Sequence, residues 1–322
     1  MAKYIIKRTL MIFLIILCVT FILFVLLYSL PGSRIRMLPI DGSGDALDAV
    51  FSFLNASDNI VTKYIRYCYN DLVHLDFGRT MAGQPLFDMF SERTRITLIL
   101  LTGSVVATLA VGIPAGMYAA VRKDSLGDRA INVLALSFSS IPPYTMAFMV
   151  AIFFVLYLRV LPMGHFRITP RVFIMPMITI MLGGIATIAR ITRTSMLEVL
   201  EQPYITALRA KGLKETGVIC RHALKNALVP VISVLGGYFG QMLCGTFVAE
   251  HFFHIRGLGF SILRAVGMRE HYEVLGSAMI VTAILAAMNI VTDILYAFVN
   301  PKIRLRYAST GIRRKPLKEA SV

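Results

Sequence analysis

Six stretches of the chain are apolar and almost free of charge, and the polar segments between them differ widely in length. They cover residues 9–30, 96–121, 130–158, 172–189, 226–249 and 274–300. Each meets the requirement of about 17–25 residues for a helix that crosses the hydrocarbon of a bilayer. Six crossings return the chain to the side on which it starts, so the pattern predicts an all-α membrane protein of six transmembrane helices. The first run has the basic start of a signal peptide. It is too long for a signal core and lacks a small-x-small cleavage pattern, so it is read as a retained membrane helix.

Several runs contain residues that disturb helices: Gly112, Pro114 and Gly116; Pro142 and Pro143; Pro176, Gly183 and Gly184; Gly236, Gly237 and Gly240. Membrane helices tolerate these where neighbours or a water-filled path satisfy the freed backbone groups, and small residues let helices approach closely. A bundle with bent helices is expected.

Composition agrees with the pattern: 57% of the 322 residues are hydrophobic and mean hydropathy is +0.70, beyond the range of soluble domains. The net charge of +15 would suggest nucleic acid in a soluble protein. Its distribution removes that reading. Under the six-span pattern, residues 1–8, 122–129, 190–225 and 301–322 share one side and hold 20 of the 33 basic residues against 6 of the 18 acidic ones. Basic residues near span ends mark the cytoplasmic face, so both termini are expected there. The four cysteines are scattered singly, without the spacing of a disulfide framework or metal site.

The chain divides into residues 1–30, a cytoplasmic end and first span; 31–95, an extracytoplasmic loop domain whose recurring aromatics suggest a small folded cap; 96–300, five further spans with a cytoplasmic segment at 190–225; and 301–322, a basic tail expected to lie at the membrane lipid surface.

Motifs of catalysis are missing. No Lys follows a Gly anywhere, which excludes a G-x-x-x-x-G-K-[ST] phosphate loop, and G-x-S-x-G is absent. The pair His251 and His254 in "EHFFH" lacks the order and third ligand of a zinc site. No enzyme activity, bound cofactor or metal is expected of this chain. Asp293 is the one clear ionisable residue within a span, so the alternative reading is an autonomous secondary carrier or channel coupled through that acid.

The remaining feature is "YITALRAKGLKETGVICRHALKNALVP", residues 204–230. Ala, Leu, Lys, Arg and Glu make it helical by propensity. Pro203 suits a first turn, and Gly212 can end a short helix in a left-handed conformation. A second helix is expected from about residue 214 toward Pro230. Two short helices meeting at a glycine form a projecting knob.

The spacing of Ala207, Gly212 and "HALKNALVP" resembles the EAA loop of ATP-binding-cassette importer permeases. With "YIIKRTL", "DFGRTMAGQPLFDMFSERTRITLIL", "SIPPYTMAF", "LPMGH", "TFVAEHFFHIRGLGFSILRAV" and "DILYAFVNPKIR" in order, nearly the whole chain is similar to the B-type subunit of the peptide and nickel (oligopeptide and dipeptide) permease family. Thr206 stands where the broader loop consensus has an acid, Leu208 where it has alanine, and Arg256 where proline is common. The resemblance implies a type I importer bundle in a prokaryotic inner membrane, paired with a second homologous permease. It further implies two ATPase subunits that bind ATP and Mg2+, an extracytoplasmic binding protein, and a peptide or related small solute as cargo. It carries Ala207, Arg209, Ala210, Lys211 and Gly212 to the docking turn for the ATPase, with His222 and Asn226 as supports. Phe77, Gly78, Phe253, Arg256, Gly257 and Gly259 are its candidates for contact with the binding protein.

Overall fold

The computed structural model describes residues 2–29, 59–73, 85–161 and 169–299. The expected cap at 31–95 lies largely outside these residues, and the tail at 301–322 lies wholly outside them. Among the described residues the elements are helical: α1 (Ala2–Ser29), α2 (Ile60–Val73), α3 (Leu86–Val121), α4 (Leu126–Ser140), α5 (Pro143–Ala151), α6 (Ile174–Leu200), α7 (Pro203–Ala210), α8 (Glu215–Phe252), α9 (Leu258–Met268) and α10 (His271–Val299). A π-turn, Ile152–Tyr157, continues α5, and a second, Val218–Ala223, lies within α8.

Among the described residues five helical stretches are long and apolar enough to cross a membrane, and α4 with α5 makes a sixth if the pair is one span. The run at 130–158 is therefore not one continuous helix. It breaks at Ile141 and Pro142, and its halves meet at 108°. Pro143 has no N–H to continue the ladder of α4, and prolines bias the residues before them away from helical geometry.

Helix directions show that the bent pair completes a crossing. Side chains added at Gly103, Gly112 and Gly116 of α3 would meet Met177, Ile188 and Ala189 of α6 respectively. The two sets of numbers rise together, so α3 and α6 are parallel, and the chain between them must return across the bilayer. Gly184 of α6 faces Tyr238 of α8, and Ile188 clusters with Val231 and Leu235, which makes that pair antiparallel. Gly236 and Gly240 of α8 face Asn289 and Leu285 of α10 in the same falling order. Phe24, late in α1, packs with Leu275, early in α10. The six crossings thus alternate, and the start of α1 and the end of α10 share one side, called side A here. The knob segment is also on side A; α2 and α9 are on side B.

The main core fills the side B half with Leu86, Leu100, Met146, Leu243 and Leu258. Helix α2 sits against α1 through Tyr64, whose hydroxyl donates to Leu17 O at 2.7 Å and pairs with Thr20 Oγ1 at 2.6 Å. On side A, Asp128 at the start of α4 accepts two hydrogen bonds from Arg193 of α6, at 2.6 and 2.7 Å, and another from Asn132. Asp128 is only 2% exposed, so the pair locks the α3–α4 turn onto α6.

The α3–α6 contact generates a stability test. A Cβ at Gly116 would strike the backbone oxygen of Ala189, whereas one at Gly183 meets nothing within 4 Å. Gly116→Ala is expected to destabilise the detergent-purified chain by about 1–3 kcal/mol through overpacking. Gly183→Ala should be neutral or stabilising by up to about 1 kcal/mol. Thermal unfolding of the two variants against the unsubstituted chain gives the comparison, and equal melting would refute this account of the crossing.

Candidate functional site

The knob is built on one left-handed residue. Helix α7 starts behind Gln202, with Pro203 in its first turn, and ends at Ala210. Gly212 follows with φ 78°, its N–H donates to Arg209 O at 2.9 Å, and the Leu213 N–H reaches back to Leu208 O at 3.4 Å. This nested pair of bonds is a Schellman ending, which needs a left-handed residue and favours glycine. A Cβ at Gly212 would meet nothing within 4 Å, so the backbone conformation, rather than crowding, sets the demand.

Beyond the turn, Arg209 donates to both carboxylate oxygens of Glu215, Nε at 3.1 Å and Nη2 at 2.7 Å. Both partners are about half exposed, so the pair adds little stability and serves mainly to orient the turn. The chain then enters α8, which continues through Pro230 to Phe252 as one helix. The expected second short helix is therefore the first part of a membrane span.

Two further links hold the knob. Ile205 is fully buried in a cluster with Met196 of α6, Val218, Ala223 and Ala227 of α8, and Ala120 at the end of α3. Asn226 Nδ2 donates to the Tyr204 hydroxyl at 2.8 Å, and more weakly to His222 O at 3.4 Å. Ala207, Arg209, Ala210, Lys211 and Gly212 are left exposed together, so the structure brings these five sequence candidates onto one surface. Asn226 ties α7 to α8 with its side chain, while half-buried His222 contributes a carbonyl. Ile205, Tyr204 and Glu215 were missed by the sequence reading. Ile205 left a signal as a lone large apolar residue early in a polar helix, and Glu215 as an acid six residues after Arg209.

Side B carries a second arrangement. Glu250, in the last turn of α8, is fully buried. Its Oε2 accepts from the N–H groups of Gly259 at 2.8 Å and Phe260 at 3.3 Å, and its Oε1 from Thr97 Oγ1 at 2.6 Å. The Leu258 N–H in turn donates to Thr97 Oγ1 at 2.9 Å. The first turn of a helix leaves N–H groups without partners and favours negative charge. Here α8 and α3 supply the cap for α9 that its own N-cap, Gly257, has no side chain to provide. Gly257 lies where a Cβ would collide with the Glu250 carboxylate, and Gly259 where one would collide with Phe247.

Of the candidates for outer contact, Arg256 is exposed, whereas Phe253, Gly257 and Gly259 are buried in this turn. Phe77 and Gly78 lie outside the described residues. His251 and His254 both pack against the Phe260 ring, at 6.2 and 6.4 Å between centroids. Nearby, Glu273 accepts from Arg93 of α3 and from Arg264 of α9, the latter at 2.7 Å, and its side chain is 0% exposed. Burial and the adjacent Glu273 push the Glu270 carboxyl up from its ordinary pKa. Asp293, the acid of the alternative reading, is half-buried near the side A end of α10.

The cap predicts a local effect. Thr97→Val removes a donor to Glu250 and the acceptor for Leu258, a loss of about 1–3 kcal/mol at a buried site. The turn should open more often, and trypsin should cut after exposed Arg256 about tenfold faster than in the unsubstituted chain. An unchanged cutting rate would show that Thr97 does not hold the turn.

Residues 112–305 match the family described as binding-protein-dependent transport system inner membrane component. The chain is 32% identical to the dipeptide transport system permease protein DppB of Bacillus subtilis (strain 168) over 308 residues, 95% of this chain and 99% of that protein. It is 30% identical to the glutathione transport system permease protein GsiC of Escherichia coli (strain K12), across 95% of this chain and 100% of that one. Among solved structures, inward-facing MetNI methionine ABC transporter aligns with TM-score 0.56 at 17% identity, covering 67% of this chain and 98% of that chain. That likeness extends the agreement to the fold of the bundle. With its alternating membrane crossings, and with relatives matched almost from end to end, this chain belongs to the family of binding-protein-dependent transport system inner membrane components, the permease subunits of ATP-binding-cassette importers.

Proposed function

We propose that this chain forms half of the translocation path of an importer for short peptides, and that the knob is the surface through which a separate ATPase drives it. The observation that carries the reading is the exposed patch of Ala207, Arg209, Ala210, Lys211 and Gly212, presented on a Schellman turn and packed through Ile205 against three membrane spans. Such a patch is small, basic and rigidly mounted, which suits insertion into a cleft on a partner. Peptide cargo follows from the relatives named for dipeptide and glutathione transport.

In this reading a second homologous permease completes the path, and each permease rests on one ATPase subunit. ATP and Mg2+ belong to those ATPases. Side A is cytoplasmic, in keeping with the excess of basic residues on that side, and both termini lie there. A binding protein delivers cargo on side B, where Arg256 and the region around Phe77 and Gly78 are its contacts. Phe253, Gly257 and Gly259 act indirectly, by shaping the turn that presents Arg256. Closure of the ATPases displaces the two knobs and exchanges inward-open for outward-open arrangements, a coupling between distant sites through a two-state bundle.

Gly212→Asp tests the knob. A side chain at φ 78° costs about 1–2 kcal/mol locally, and an added acid changes the charge of the patch without touching the membrane core. The variant should be expressed and inserted normally, recover little ATPase when isolated from its membrane in mild detergent, and lose most ATP-driven uptake. Recovery of the ATPase and uptake at unsubstituted levels would sink the docking assignment. If the unsubstituted chain is isolated intact without an ATPase or second permease, the importer reading itself fails.

A further inference from the structure

At the break between α4 and α5 lies a cavity of about 260 Å3, walled by α6 and α8. Its position along each helix is central: the break falls midway through the run 130–158, and Thr187 and Gln241 are well inside their spans. Its polar lining comprises Ser139, Ser140, Thr179, Thr187, Tyr238 and Gln241, with no Asp, Glu, Lys, Arg or His. Gln241 is exposed in the middle of a membrane helix, a costly place for an amide surrounded by lipid.

Three glycines adjoin this region with open space beside them. A Cβ at Gly183, Gly237 or Gly245 would meet nothing within 4 Å. Gly237, Gln241 and Gly245 are four residues apart and form one stripe of α8, so its mid-membrane face is uncovered as well as polar.

We infer that this cavity is where cargo touches the subunit during passage, and that it recognises peptide amide groups through neutral hydrogen bonds without selecting among cargo charges. The inference rests on the importer reading above. Irregular backbone at membrane depth is tolerated where it lines a water-filled space, and the break, the open glycines and the bare amide of Gln241 coincide at such a place. The volume lies just below the roughly 300–1,000 Å3 of complete small-molecule sites, as suits one wall of a path whose other wall is a second permease. A fixed charge here would hold oppositely charged cargo and repel like charge, whereas passage needs contacts weak enough to release. Uncharged Ser, Thr and Gln side chains meet that need for cargo whose common element is the amide backbone.

The test uses the complex as isolated from its membrane and reconstituted into vesicles, with two readouts. The first is thiol labelling of Gln241→Cys in a chain whose own cysteines are changed to serine, with Phe148→Cys, an exposed apolar position of α5, as the control. A small charged methanethiosulfonate should label position 241 at least about tenfold faster than position 148, and trialanine should slow it. Labelling by membrane-soluble maleimide alone would make this a lipid face, and a disulfide to a second permease without reagent access would make it a subunit interface; either overturns the inference.

The second readout is ATP-driven uptake by Gln241→Lys. Uptake of trilysine should fall about tenfold relative to trialanine, as expected for a like charge at roughly 10–12 Å in a medium of effective dielectric about 20, while the ATPase stays bound. An equal loss for all cargo, with the ATPase still attached, would reduce Gln241 to a structural role and overturn the recognition. Absence of ATP-driven uptake and of ATPase from the unsubstituted complex would instead defeat the importer reading, and the peptide assignment with it. The labelling would still report separately whether water reaches this face.

Discussion

The parallel contact between α3 and α6 is the constraint on which the rest of the bundle depends. Within hydrocarbon there is little hydrophobic drive to join helices, so close approach of backbones must supply the packing. Gly112 and Gly116 permit it, because side chains there would strike Ile188 and Ala189. Two helices parallel and adjacent need a crossing between them, and the chain has only residues 122–173 in which to make it. The bent pair α4–α5 is that crossing. A straight helix would have offered no interruption at mid-depth; the break at Pro142 leaves a cavity there and turns Ser139 and Ser140 toward it. The architecture and the polar interior thus have one cause.

Charged groups buried in this chain follow a consistent rule of place. Asp128 with Arg193 fastens α4 to α6 on side A, while Glu273 with Arg93 and Arg264 fastens α10 to α3 and α9 on side B. Glu250 with Thr97 caps α9 on side B as well. None of them lines the central cavity. Buried ion pairs often add little net stability, yet removing one partner is costly, so such pairs favour one arrangement of helices over its neighbours. At the rims they define the ends of the bundle and leave the middle free of fixed charge.

The spans were legible because hydropathy is summed over some twenty positions and survives local irregularity. Gly212 was legible for the opposite reason: the chemistry of a Schellman ending is contained within six residues, Leu208 to Leu213. What lay between those scales was not. Pro142 and Pro143 announced a disturbed helix, but the 108° angle depends on the space that α6 and α8 leave for it. In the segment "EHFFH" only the histidines were weighed, as a metal pair, and set aside, whereas its glutamate holds the structure together through Thr97, 153 positions away. Arg93 and Glu273 are separated by 180. A pairing of that range has no local signature, and the same is true of Ile205, whose burial is made by three other helices. The resemblance to known permeases offered Phe253, Gly257 and Gly259 as contact residues, but it could not distinguish a surface from the packing beneath one, and all three are buried.

Helix α8 joins these features along a single axis. Glu215 in its first turn accepts from Arg209 and Asn226 donates to the Tyr204 hydroxyl, so the knob is mounted on it directly; its middle carries Gly237, Gln241 and Gly245; its last turn carries Glu250. Under the proposed function, force applied to the knob reaches the cavity without crossing a loop. The π-turn at Val218–Ala223 and Pro230 both interrupt the regular ladder on that route, and such places are where a helix bends or shifts register. Beyond the cavity, the Glu250 cap couples α8 to α3 and α9, so a rotation of α8 is resisted at side B while being driven from side A. A helix driven at one end and held at the other moves most freely between them, in the section where the glycines have nothing packed against them.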